Sequence, residues 1–139
     1  MNIKFRAWDK EKQRMLPVTL MNYNEWWVSC EPVLEDKVNS GEYGERNSFS
    51  NEKTDRHILM QYIGITDDNG IEIYDKDIIE FYEENMLLKG EVEWLQEGCR
   101  FVVRVSNEEG QYYLGLSGSE KLKCNIIGNT YENKSLLGI

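Results

Sequence analysis

The sequence is short of the residues on which most recognisable chemistry is built. It has one histidine, His57, and three widely spaced cysteines, Cys30, Cys99 and Cys124, in 139 residues. A structural zinc site needs four closely spaced His and Cys ligands, and a disulfide scaffold needs a dense, even set. Neither pattern is present. Isolated cysteines with no CxxC and no basic cluster read as small buried hydrophobes in the thiol form. HExxH, GxSxG and phosphate-cradling glycine loops are also missing, so no catalytic residue, metal ligand or cofactor is assigned from the sequence. No apolar run approaches the roughly 18 residues of a membrane helix. The opening Met1–Lys10 carries no signal-peptide core, so a cytoplasmic location is expected. Basic residues are scarce as well, with 16 Lys and Arg against 25 Asp and Glu and a net charge of −9. That balance disfavours general binding to a phosphate backbone, which needs clustered cations.

Enough is present to fold. Apolar residues make up 40 % and aromatics 12 %, too much for a disordered chain. The length predicts a single domain over 1–139. Ile3, Phe5 and Ala7 alternate with Lys4, Arg6 and Trp8, the period of a strand. Asp9–Lys12 is a polar turn. Arg14–Val18 then returns as a second strand, and Pro17 predicts an edge position for it. Trp26-Trp27-Val28 is a further strand candidate. Residues 38–57 are rich in Asn, Ser, Gly and Glu and poor in aliphatic side chains. A segment that buries so little predicts a long mobile loop.

Leu59–Ile65 and Ile71–Tyr74 flank Asp67-Asp68-Asn69-Gly70. Asn-Gly between two such runs predicts a hairpin in which both residues take positive φ. Strand-like runs follow at Asp77–Tyr82, Leu87–Leu95, Phe101–Val105, Tyr112–Leu114 and Lys123–Ile127. Short helices are expected at most, at 116–122 or 131–137. Many short strands separated by turn signals predict a mainly β fold, a sandwich or small barrel of antiparallel strands with an N-terminal β-hairpin.

Two constellations invite a functional reading. Asp67, Asp68, Glu72, Asp75, Asp77, Glu80, Glu83 and Glu84 crowd together, and hard cations take several converging oxygens. The calcium-loop template fails, however. With Gly70 at its glycine, the first ligand falls on Ile65 and the closing Glu on Lys76. The cluster therefore reads as a solvated hairpin whose charges oppose edge-to-edge aggregation. The aromatics Trp8, Trp26-Trp27, Trp94 and Tyr112-Tyr113 are the second constellation. Adjacent strand residues point to opposite faces, so one of each pair is expected in the core and the other free for a partner. The first 24 residues are net basic and the rest net acidic, which favours association within or between copies. Arg6, Trp8, Arg14, Trp26 and Trp27 are the candidate partner surface.

The blocks Ile3-Lys4-Phe5-Arg6-Ala7-Trp8-Asp9-Lys10 with Arg14-Met15, Leu59–Gly64 with Asp67–Tyr74 and Asp77-Ile78-Ile79, and Ile126–Asn133 occur in an order that resembles the YopX family of phage and prophage proteins. The family usually has Gly where Lys76 stands, Thr where Ile63 stands and Pro where Lys134 stands. The resemblance implies a bacterial, phage-derived cytoplasmic protein with a mostly β fold, and it carries over no activity and no site residue. Tyr74–Ile79 followed by Gly90–Trp94 also looks like the start of a small, partly open SH3-like barrel. The expected function is a non-enzymatic module for interaction with a host or phage protein, or for self-assembly. The alternative is a small-barrel adaptor on nucleic acid or an acidic mimic of DNA. A metal-dependent hydrolase built on Asp75 and Asp77 is the least favoured reading.

Overall fold

The computed structural model describes residues 3–22, 27–30, 47–50, 56–107, 109–116 and 123–137. The chain forms two compact units, one of residues 4–60 and the other chiefly of residues 61–139. Both are built from β-strands, and the described residues contain one short 3₁₀ helix, Lys134–Leu137.

The first unit opens with the expected hairpin. Strand β1 (Phe5–Asp9) pairs antiparallel with β2 (Arg14–Asn22), Ala7 opposite Leu16 and Asp9 opposite Arg14. Strand β3 (Trp27–Cys30) lies on the other side of β2, and β4 (Asn47–Ser50) lies beyond β3. Strand β5 (His57–Thr66) begins in this unit. Ala7, Leu16 and Cys30 form its small core, with Val18 against them. Two expectations need correction. Strand β2 is not an edge strand, because β1 and β3 flank it. Pro17 is tolerated because it pairs with Arg6 on one side while the pairing to β3 starts only at Val18, so its missing N–H leaves no gap in that ladder. Within the loop expected at 38–57, residues 47–50 form β4. Pairing along the whole of β3 supplies the order that its polar sequence does not predict. Residues 38–46 and 51–55 of that loop lie outside the described residues.

The second unit contains the end of β5, then β6 (Glu72–Tyr74), β7 (Asp77–Glu83), β8 (Met86–Leu95), β9 (Arg100–Asn107), β10 (Gly110–Gly115) and β11 (Cys124–Asn129). Five of these form an antiparallel sheet in the order β10-β9-β8-β7-β11. It does not close on itself, as in a small, partly open barrel. Ile79, Phe81, Val92, Val103, Val105 and Cys124 point from one face into the core, where they meet Ile73. Gly90 sits in the middle of β8 because nothing larger fits. A Cβ there would run into Val103 Cγ1 and lie 2.8 Å from the carbonyl oxygen of Arg104.

The turns explain where the motifs fall. Asp67–Gly70 is a turn closed by a Gly70 N–H bond to the Asp67 carbonyl (3.0 Å) and by Asp67 N–H to Ile71 (2.8 Å). Gly70 alone takes positive φ, at 79°, so this hairpin is a turn followed by a left-handed glycine rather than the two-residue type expected. The two-residue turn with two positive φ values lies instead at Glu84 (49°) and Asn85 (67°), between β7 and β8. Lys76 is also left-handed, at φ 72°. Its N–H donates to Val92 O (2.8 Å), and its carbonyl accepts from Thr130 N (2.9 Å). A glycine would adopt that backbone at no steric cost, which gives the departure at 76 a physical meaning.

Candidate functional site

The first unit assembles a buried ionic centre that the sequence did not announce. Asp9 ends β1, and its side chain is fully buried. Its carboxylate accepts two guanidinium bonds from Arg56, both 2.9 Å, and the backbone N–H groups of Glu11 (3.1 Å) and Lys12 (3.3 Å). Arg14 Nε stands 3.5 Å away and His57 Nε2 4.0 Å. Burial alone would raise the carboxyl pKa. The Arg56 and Lys12 bonds and the charges of Arg56 and His57 outweigh it and hold the pKa down at about 2. Burial lowers His57, against the pull of Asp9. Burial and the Asp9 charge push the Cys30 thiol up to about 11, so it is not an activated nucleophile. His57 and Asp9 thus face each other with Cys30 within reach of the Asp9 charge, but the carboxylate is saturated by the turn and by Arg56. The centre pins the β1–β2 turn to the start of β5, with Lys10 N–H also bonding Arg56 O (2.8 Å).

This placement changes the candidate surface. Trp8 is only 4 % exposed, so it belongs to the interior and is withdrawn as a partner residue. Arg6 and Arg14 are half-buried, and Arg14 faces Asp9. Trp26 and the Trp27 side chain lie outside the described residues. The structure therefore does not bring these five together as one exposed face.

The acidic run of the second unit separates into individual roles. Asp67 is buried and accepts from the N–H groups of Asn69, Ile71 (both 2.9 Å) and Ile126 (3.1 Å). These bonds outweigh burial and lower its pKa. Asp77 is buried and accepts from Tyr74 N–H at 2.8 Å. Burial raises the Asp75 pKa. Glu83 and Glu84 are exposed at the β7–β8 turn. Among the described residues no three acidic, His or Cys side chains converge as metal ligands. The description as a solvated hairpin is thus corrected at Asp67 and Asp77, which are internal caps. The tail motif is of the same kind. Asn129 accepts from Tyr131 and Glu132 N–H, while Asn133 Oδ1 accepts from Asn129 N–H (3.2 Å). This folded corner leads into the 3₁₀ helix.

The face of the five-strand sheet turned away from its core holds the best candidate surface. Residues directly opposite in a ladder share a face, as do residues two apart. The registers therefore place Tyr82 and Leu87 together, then Lys89 and Glu91 along β8, Arg104 and Ser106 on β9, and Gln111 and Tyr113 on β10. Glu91 is 4 % exposed. It is held by Lys76 Nζ (3.4 Å) and Arg104 Nη2 (3.3 Å), and Arg104 Nε also reaches Glu93 (3.5 Å). Burial would lower the Lys76 pKa, but Asp75 and Glu91 raise it. Toward the β7–β8 turn the same face becomes apolar and open, with Tyr82 73 % exposed and Leu87 51 %. Alternation along β7 and β8 was legible in the sequence. Which face stays open was not.

An open, mainly antiparallel β protein with one polar sheet face and buried carboxylate caps is the class these observations define. The family model described as YopX protein matches residues 4–138, and the chain belongs to the YopX family. Two crystal structures share its fold. Protein EF1440 from Enterococcus faecalis has a TM-score of 0.60 at 22 % identity, covering 99 % of each chain. Protein yopX from Bacillus subtilis has a TM-score of 0.57 at 20 % identity, again over 99 % of each chain. No curated protein matches.

Proposed function

We propose that the chain is a non-enzymatic protein-interaction module of phage or prophage origin, working in the bacterial cytoplasm. Its partner is a host or phage protein, or a second copy of itself. One observation carries this reading: Tyr82 and Leu87 stand exposed together on one face at one end of the five-strand sheet. Large apolar side chains grouped at the surface favour a protein partner. The adjoining Glu83 and Glu84 oppose contact with a phosphate backbone.

The test is a pull-down from the lysogenic host with the tagged chain and its Leu87→Glu variant, each with and without nuclease. A stoichiometric protein, or untagged copies of the chain, that survives nuclease and is lost with Leu87→Glu is the expected result. A partner indifferent to Leu87→Glu refutes the surface. Binding that vanishes with nuclease and falls steeply with salt replaces this reading with the nucleic-acid adaptor.

A further inference from the structure

The five-strand sheet has two edges, and they are finished differently. At β11 the outward backbone groups are taken: Cys124 O accepts from Asp68 N–H (2.9 Å), and Ile126 N–H donates to the Asp67 carboxylate (3.1 Å). A register shift between Ile126 and Gly128 also interrupts that strand. Nothing comparable finishes β10. Among the described residues it hydrogen-bonds only to β9, in an unbroken register from Gly110 to Gly115. Edge strands are ordinarily protected by charge, proline or a bulge, and Gly110-Gln111-Tyr112-Tyr113-Leu114-Gly115 has none of these.

The pairing fixes which groups face the open edge. Asn107 and Gly110 are partners with only two residues between them, so they exchange both backbone bonds, as the ends of a two-residue hairpin loop must. Bonded and non-bonded pairs alternate along the ladder. Tyr112 and Leu114 therefore turn their N–H and C=O groups toward β9, while Gln111, Tyr113 and Gly115 turn theirs outward. The outward residues are exposed, Tyr113 by 47 %.

We infer that this edge pairs with the same edge of a second copy, antiparallel about a two-fold axis between the two Tyr113 residues. In that register Tyr113 faces its own counterpart and Gln111 faces Gly115 of the partner subunit, so each outward residue exchanges both of its bonds. On the core side, half-buried Tyr112 meets Leu114 of the partner subunit, and the reverse, an aromatic–aliphatic pairing that stabilises a ladder. Charge selects a second copy at this place. Each copy carries −9, and bodies of one sign repel, so two copies meet most easily where neither presents a charge to the other. The strand matches itself across the axis and needs no other sequence. Tyr82 and Leu87 lie on β7 and β8, away from this edge, so the contact goes beyond the surface proposed above.

Sedimentation equilibrium of the full chain at about 10–200 μM reads the association by mass action. The mass is expected to rise to twice the 16.4 kDa of one chain, and rising salt should strengthen the association by screening the like charges. Tyr113→Lys sets two ammonium groups face to face, and Tyr113→Pro removes an outward N–H that β9 does not use. Each should hold the chain at its monomer mass, and Leu87→Glu should leave the association unchanged. Cross-linking in a Cys99→Ser background reads the register. Tyr113→Cys should form a disulfide between copies on mild oxidation, since Cα atoms of a bonded pair lie about 5.5 Å apart. Gln111→Cys should not, because its counterpart lies about 14 Å away along the strands. A monomer throughout the range, association indifferent to both Tyr113 variants, or equal cross-linking at Gln111 and Tyr113 would overturn the inference. Loss of association with Leu87→Glu would overturn it by moving the contact to the Tyr82–Leu87 face. Weakening by salt would overturn it in favour of attraction between the basic N-terminal residues and the acidic remainder.

Discussion

Replacing Asp9 by Asn keeps the shape of the buried centre and removes its charge. The carboxylate accepts four hydrogen bonds and faces three basic side chains. Its pKa falls from an ordinary 3.8 to about 2 in the folded chain. At about 1.4 kcal/mol per tenfold change in proton affinity, the ionised form contributes about 2–3 kcal/mol of stability. Arg56 is 40 % exposed, so water screens part of this and about 2 kcal/mol is the expected loss. The sign follows from the depressed folded pKa. The contribution is complete above the unfolded value of 3.8 and disappears as pH falls through about 2. Urea unfolding of both proteins, from neutral pH down to about pH 2, reads this directly. The gap between wild type and Asp9→Asn should be full at neutral pH and should close at the acid end. A gap of constant size would refute the reasoning, because the loss would then come from the shape of the amide and not from the charge.

The remaining predictions concern the second unit and the thiols. Gly90→Ala drives a methyl group into Val103 and the Arg104 backbone and should cost about 1–3 kcal/mol; an unchanged Tm would show that β8 and β9 can part freely. Changing Glu84-Asn85 to Asn-Gly suits the two positive φ values and should raise stability by about 0.5–1 kcal/mol in denaturant unfolding. Asp67→Ala leaves three backbone N–H groups without their acceptor, and a loss of about 1–3 kcal/mol in the same assay is expected. Cys99 is exposed whereas Cys30 and Cys124 are buried, with both buried thiols at about 11. A thiol reagent should therefore count one cysteine in the folded chain and three after unfolding.

Alternation was enough to find β1 at Ile3–Trp8, the return at Arg14 and the strands from Asp77 onward, because a half-buried strand writes its period into the sequence. It could not show that Trp8 is buried along with Ala7. Covering both faces of a strand is a property of its neighbours. Residues 47–50 were missed for a related reason, since a ladder to β3 orders a segment whose composition does not mark it as a strand. The acidic run was legible as charge and illegible as structure. Asp67 and Asp77 face inward because backbone N–H groups await them, and those donors come from residues as distant as Ile126. The Asp9 centre joins residues 47 apart in the chain, which no local pattern reveals. That Lys89, Ser106 and Gln111 share one sheet face is visible only once the register of the strands is known.

The turn at Asp67–Gly70 bears on how the protein ages. An Asn-Gly step is a chemical weak point, because the glycine nitrogen can attack the asparagine amide, expel ammonia and leave a ring that opens to aspartate or isoaspartate. Here the attacking nitrogen is engaged, its N–H bonded to the Asp67 carbonyl. The amide under attack is held as well, since Asn69 Nδ2 donates to Asn125 Oδ1 at 3.3 Å. The hydrogen bonds that shape the hairpin also slow its chemical decay, so Asn69 should outlast the same dipeptide in an unfolded chain.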